Sequence, residues 1–184
     1  MIIVNSTFSR ALAGNSGASN HSPNSLLFFI DLDMVFSQDL LSRIRFNTIK
    51  NKQVYFPIVF SQYNPKFILN LSNKSTFQIN SDLGYWRHFG FGMVSVYKSD
   101  FDRIGKFNTK FKGWGGEDFD LYSRFKRFKL TIFRAPEPGL VHVFHDFNCD
   151  FIRNIVQRYS CFRSSSNSHG STRTFIELFI DKIL

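Results

Sequence analysis

Five apolar residues in succession, Leu26-Leu27-Phe28-Phe29-Ile30, close on Asp31-Leu32-Asp33. A strand that is apolar on both faces has to be covered on both faces, so this run predicts a buried, central strand of an α/β sheet. In such sheets ligands gather at the carboxyl ends of the strands, and that end carries two carboxylates. At 184 residues the chain can bury one core of its own and is too short for two comfortable ones, which predicts a single domain over 1–184.

The rest of the pattern agrees with mixed α/β. Residues 1–25 are rich in Ser, Asn and Gly around one apolar island, Phe8 to Ala13, and read as a flexible segment with a short helix or turn. Ser37 opens a helix reaching about Lys50, with Leu40, Leu41, Ile44 and Ile49 on one face. Gln53 to Phe60 reads as a second strand and Phe89 to Tyr97 as a third, followed by a short helix from Ser99 to Ile104. Lys112-Gly113-Trp114-Gly115-Gly116-Glu117-Asp118-Phe119-Asp120 then leads into a helix. Leu130 to Arg134 is a strand, Pro136 and Pro138 mark a turn, and Gly139 to His145 is a last strand. The tail from Phe151 is helical with an interruption over Ser164 to Gly170.

Three groups of residues carry chemistry. Asp31-x-Asp33 offers hard oxygen ligands suited to Mg²⁺ or Mn²⁺, although acids at a strand end also serve as turn formers. His142-x-x-His145 adds imidazole, which with carboxylate is an ordinary Mn²⁺ shell. In the glycine-introduced stretch, acids at a helix start act as caps, yet three glycines allow a ligand close to the backbone and Trp114 offers a flat face for a sugar ring. Asp118 or Glu117 there can take the proton of an attacking hydroxyl. A metal for a diphosphate leaving group and a base for the nucleophile together describe displacement at a sugar carbon.

Composition narrows the partners. With 23 Lys and Arg against 14 Asp and Glu the net charge is +9, which draws anions without choosing among them. The densest basic cluster, Arg124 to Lys129, reads as the solvated face of a helix, and acidic motifs repel nucleic acid phosphate, so no nucleic acid partner is expected. The two cysteines, Cys149 and Cys161, are compatible with one disulfide in an oxidising compartment or with two free thiols. Four Asn-x-Ser/Thr sequons, at Asn5, Asn20, Asn70 and Asn73, lean towards a luminal address. No apolar run is long enough for a signal peptide or a membrane span.

Five motifs in order resemble the chondroitin N-acetylgalactosaminyltransferase family, which includes chondroitin synthases and is related to the β-1,4-galactosyltransferases. They are Phe29 to Asp33, Phe56 to Pro65, Gly84-Tyr85-Trp86-Arg87 with Phe89 to Met93, Gly113 to Asp118, and Gly139 to His145. The resemblance runs from about Phe8 to Ser171. It implies a GT-A type α/β fold, a mixed central sheet with flanking helices, and Mn²⁺-dependent, inverting transfer of N-acetylgalactosamine from a UDP-sugar to a glucuronic acid-ended, acidic glycosaminoglycan.

By the same resemblance Asp33 is the main metal ligand, with His145 and, less firmly, His142. Asp118 matches the catalytic base and Glu117 a sugar contact at the catalytic centre. Trp114, Gly115, Gly116, Asp31 and Trp86 fall on the substrate side, with Asp31 near the ribose or the metal. The family implies the Golgi lumen, a type II membrane anchor that this chain does not carry, and hetero-oligomers with other chondroitin-synthesising subunits. The first GT-A strands, which hold uracil and ribose, are expected ahead of Phe8 and are missing, which predicts the C-terminal catalytic portion of such a domain. The rival reading is a non-catalytic, lectin-like or chaperone subunit that assists an active partner.

Overall fold

The computed structural model describes residues 9–68, 78–111, 113, 115–146, 148–152 and 154–170. Its elements are α1 (Arg10–Ser19), β1 (Leu26–Phe29), β2 (Met34–Phe36), α2 (Asp39–Asn47), β3 (Gln53–Tyr55), β4 (Ile58–Gln62), β5 (Gly84–Trp86) and β6 (Val94–Tyr97), then α3 (Lys98–Arg103), α4 (Glu117–Arg127), β7 (Thr131–Phe133), β8 (Pro136–His142) and α5 (Ile155–Asn167). The strands form two four-stranded mixed sheets, ordered β1-β6-β3-β7 and β2-β8-β4-β5. The chain weaves through two compact units: Met1–Asp31, Leu41–Pro57 and Gly90–Ala135 make the first, and Leu32–Leu40, Ile58–Phe89 and Pro136–Leu184 the second.

In the first unit β6 runs antiparallel to β1 and β3, and β7 runs parallel to β3, with Leu27 opposite Val96 and Val54 opposite Ile132. Its core joins Leu27, Val54, Val94 and Val96 to Phe101 of α3 and to Leu121 and Phe125 of α4. The apolar run predicted as a central strand is β1, and it lies at the end of its sheet, paired on one side among the described residues. Its apolar character has another cause: the Phe29 ring packs 4.9 Å from Phe101 and 5.0 Å from Phe107. Helix α1 extends well past the predicted island. Ser9 caps it, accepting from the Leu12 N–H, and the Asn15 side chain bonds both the carbonyl and the N–H of Phe107 at 2.9 Å. Gly14 is required there, since a Cβ would stand 2.8 Å from the Phe107 ring.

The strand predicted over Gln53 to Phe60 is two strands in different sheets. Pro57 stands between Tyr55 and Ile58, and its missing N–H cannot join a ladder. In the second unit β8 lies between β2, antiparallel to it, and β4, parallel to it. Pro136 and Pro138 are not a separate turn; they begin β8. They are tolerated because β2 pairs only from Leu140 onward, and the register with β4 shifts between Ile58 and Phe60.

Helix α5 is capped by the Asn154 side chain, which accepts from Val156 and Gln157, and it runs to Asn167, so only the last part of the predicted interruption, from Ser168, lies outside the helix. Cys149 and Cys161 form a disulfide, both buried, with Cα atoms 5.8 Å apart. Of the sequons, Asn20 is exposed at the C-terminal cap of α1; Asn5, Asn70 and Asn73 lie outside the described residues. Among the described residues no helix is long and apolar enough to cross a membrane.

Candidate functional site

His142 is the last residue of β8, opposite Met34 of β2 and Ser61 of β4, so its backbone is held from both sides. One step further the Val143 N–H donates to the Asp33 carbonyl at 2.9 Å, which continues the β2–β8 pairing and sets Asp33 beside His142. The Asp33 Oδ2 lies 3.4 Å from the His142 Nε2 and 3.0 Å from the His145 Nε2. One ligand atom from each of the three side chains lies within 4.8 Å of the others. His142 is buried, Asp33 half-buried and His145 exposed, so the group grades from protein towards solvent.

The hydrogen bond from His142 holds the Asp33 carboxyl below its ordinary value, outweighing the burial that pushes it up, and the electrostatic pull of the two neighbouring imidazoles works in the same direction. Asp33 Oδ1 and His142 Nδ1 are buried without a hydrogen-bond partner among the described residues, and such atoms are uncommon in folded proteins. A carboxylate with two imidazoles is a donor set that fits a divalent cation such as Mn²⁺. His145 stands past the end of β8, not within it as the sequence predicts, and its Nδ1 lies 3.1 Å from the Asp146 carbonyl. Trp86 closes β5 in the same unit, edge-on to Phe60 with ring centres 5.4 Å apart.

The first unit holds the other predicted residues that the structure describes, Asp31, Gly115, Gly116, Glu117 and Asp118. Gly113, Gly115 and Gly116 have φ of +76°, +80° and +100°, the left-handed region that glycine alone adopts without strain. Gly116 caps α4, where a Cβ would meet the Phe111 ring at 3.0 Å. The three acids that follow have different surroundings. Glu117 is buried with the Arg10 Nη1 at 3.5 Å, and Asp120 pairs with Arg124 at 2.8 Å. Asp118 is half-buried and accepts the Phe119 N–H at 2.8 Å. Burial pushes the Glu117 carboxyl up, with the Asp118 charge adding and Arg10 opposing. Trp114 lies outside the described residues.

Asp31 and Asp33 are separated by one residue and belong to different units. The Asp31 carboxylate accepts from the Arg10 Nε at 2.7 Å, and the Arg10 Nη2 donates to the Gly92 carbonyl. A Cβ at position 92 would stand 3.3 Å from Asp31 Oδ2, a tight approach. Burial works against the Arg10 charge, but Asp31, Glu117 and Asp118 outweigh it and keep the guanidinium protonated. Arg10 is absent from the sequence-based set of site residues. The signal for it is a lone cation inside the apolar island Phe8 to Ala13, which an apolar helix face does not explain.

The fold and these residues have relatives. The catalytic domain of Drosophila β1,4-galactosyltransferase 7, solved with xylobiose, superposes with a TM-score of 0.52 at 15% identity, covering 90% of this chain and 63% of that one; the shared architecture is the GT-A glycosyltransferase fold. Human chondroitin sulfate synthase 3 is 39% identical over the whole chain, and human chondroitin sulfate N-acetylgalactosaminyltransferase 1 is 38% identical over 92% of it. The chain spans only 21% and 33% of those two relatives. The family profile described as Chondroitin N-acetylgalactosaminyltransferase matches residues 1–175. With a match of that extent, and relatives of that identity, the chain belongs to the chondroitin N-acetylgalactosaminyltransferase family.

Proposed function

We propose that the protein transfers N-acetylgalactosamine from a UDP-sugar to the glucuronic acid end of a chondroitin-type chain, in a Mn²⁺-dependent reaction that inverts the anomeric carbon. The observation that carries this reading is the Asp33, His142 and His145 group in a chain of this family, because three convergent ligand atoms with orphaned polar neighbours suit a cation that serves an anionic leaving group. Asp33, His145 and His142 would hold that cation, which when bound supplies charge neutralisation for the departing diphosphate.

The acceptor hydroxyl oxygen bonds to the anomeric carbon while the carbon–oxygen bond to UDP breaks, and UDP leaves with the electron pair. Asp118 takes the hydroxyl proton. Glu117, buried against Arg10, contacts sugar and is the less free of the two to receive it. The net charge of +9 favours an anionic donor and an anionic acceptor. The buried Cys149–Cys161 disulfide supports a luminal, Golgi-type address. Association with other chondroitin-synthesising subunits belongs to the same reading.

The test is transfer by the purified protein from UDP-N-acetylgalactosamine to a glucuronate-ended chondroitin oligosaccharide, with Mn²⁺ and after chelation. One added sugar, lost on chelation, is expected. Calorimetric titration showing no UDP binding with Mn²⁺ present would favour the non-catalytic subunit instead.

A further inference from the structure

Arg134 directly follows β7 in the first unit. Its guanidinium lies over the ring of Phe91, 4.4 Å from the centroid, and its Nη2 donates to the Gly90 carbonyl at 2.8 Å. Arg10, Arg103 and Arg124 each face a carboxylate. Arg134 has none among the described residues, and its Nε is buried without an acceptor. Burial pulls its pKa down, the mark of a cation with too little to answer its charge. Such a group is expensive to keep unless an anion arrives.

The ring that Arg134 covers belongs to a cluster: Phe91 lies 4.2 Å from Tyr122 and 5.9 Å from Phe119, both on α4. Phe119 is 59% exposed and directly follows Asp118, so the cluster reaches solvent beside that acid. A guanidinium beside an aromatic cluster with one exposed ring, Phe119, and two half-buried ones suits a sugar acid, whose carboxylate takes the guanidinium and whose C–H face takes the exposed ring.

We propose that Arg134 with Phe91, Phe119 and Tyr122 forms a subsite for the uronate sugar of the acceptor, Arg134 pairing with its carboxylate. The assignment of the sugar rests on the function proposed above.

Equilibrium binding to the purified protein tests it without requiring turnover. The probes are a glucuronate-ended chondroitin oligosaccharide, its carboxyl-reduced glucose-ended counterpart, and UDP with Mn²⁺. The wild type should favour the carboxylate by about 10- to 100-fold, the value of a charge-assisted hydrogen bond. Arg134→Gln should erase that preference and leave UDP binding unchanged. Phe119→Ala, at an exposed position that tolerates truncation, should weaken both oligosaccharides about equally and keep the preference.

A wild type that does not discriminate, a preference that survives Arg134→Gln, a loss confined to UDP, or Phe119→Ala without effect overturns the subsite. Binding with the stated preference but no transfer would sink the enzymatic reading and leave the subsite standing.

Discussion

Three acids in four residues, Glu117, Asp118 and Asp120, look equivalent in the sequence and have different partners in the structure. Asp120 is taken by Arg124 one helical turn on, and Glu117 is buried against Arg10, whereas Asp118 is half-buried and accepts its neighbour's N–H. Asp118→Asn should therefore reduce transfer by about 10²- to 10⁴-fold with UDP affinity kept, read as kcat against a UDP titration. Undiminished kcat would remove Asp118 from the role of base. Glu117 makes a different prediction. Its carboxyl is raised in the fold, so the folded protein holds the proton more tightly than the unfolded chain. Stability is then full below the ordinary value of 4.5 and falls as pH climbs from there through the raised value. Glu117→Gln should raise the melting temperature at neutral pH, with the gain shrinking to nothing as pH drops below that window. A gain that persists in acid would show that desolvation is not its source. Arg10 explains why the sequence could not sort these acids: the residue that distinguishes Glu117 lies more than a hundred positions away.

At the scale of elements, those whose signal is local were legible. Helix α4 follows its glycine turn, and α3 ends where Gly105 adopts φ +88°. The elements misread are those settled by partners. Strand β2 shows no apolar alternation and exists because Met34 to Phe36 pair with β8, and the two prolines of β8 read as a turn until the late start of that pairing is known. The apolar run of β1 predicted the right strand but the wrong place in the sheet, because aromatic packing and central burial leave the same trace in sequence. Strand β5 is a sharper case. Its Gly84 lies against β4, where a Cβ would run into the Ser61 carbonyl and stand 2.7 Å from the Phe60 ring. Gly84→Ala should cost about 1–3 kcal/mol of stability through overpacking, measured by denaturant unfolding. A variant as stable as the wild type would mean that β5 yields freely. The disulfide acts on α5 in the same unit: closing a loop of this size is worth about 3 kcal/mol, so reduction should lower the melting temperature and not merely shift the mass.

For the whole molecule the motif order was legible and the partition was not. Collinear motifs identify the family because they record descent, whereas the two units interleave along the chain, so that Asp31 and Asp33, one residue apart, fall on opposite sides of the division. The metal ligands expected from the sequence, Asp33, His142 and His145, all lie within the second unit. That placement gives the cation a local signature. A ligand that binds the folded state alone stabilises it by RT ln(1 + [L]/Kd), about 2.7 kcal/mol at a hundred times Kd. Mn²⁺ should therefore slow amide hydrogen exchange in β2 and β8, where Asp33 and His142 are anchored, and Asp33→Asn should abolish the slowing. The first unit supplies none of the three ligands, so β1 and β6 report whether the stabilisation spreads: protection confined to β2 and β8 means the units open separately, and protection throughout means they open as one. Exchange in β2 and β8 that ignores Mn²⁺ in the wild type would end the assignment of these three residues as a metal centre, whatever the family relationship implies.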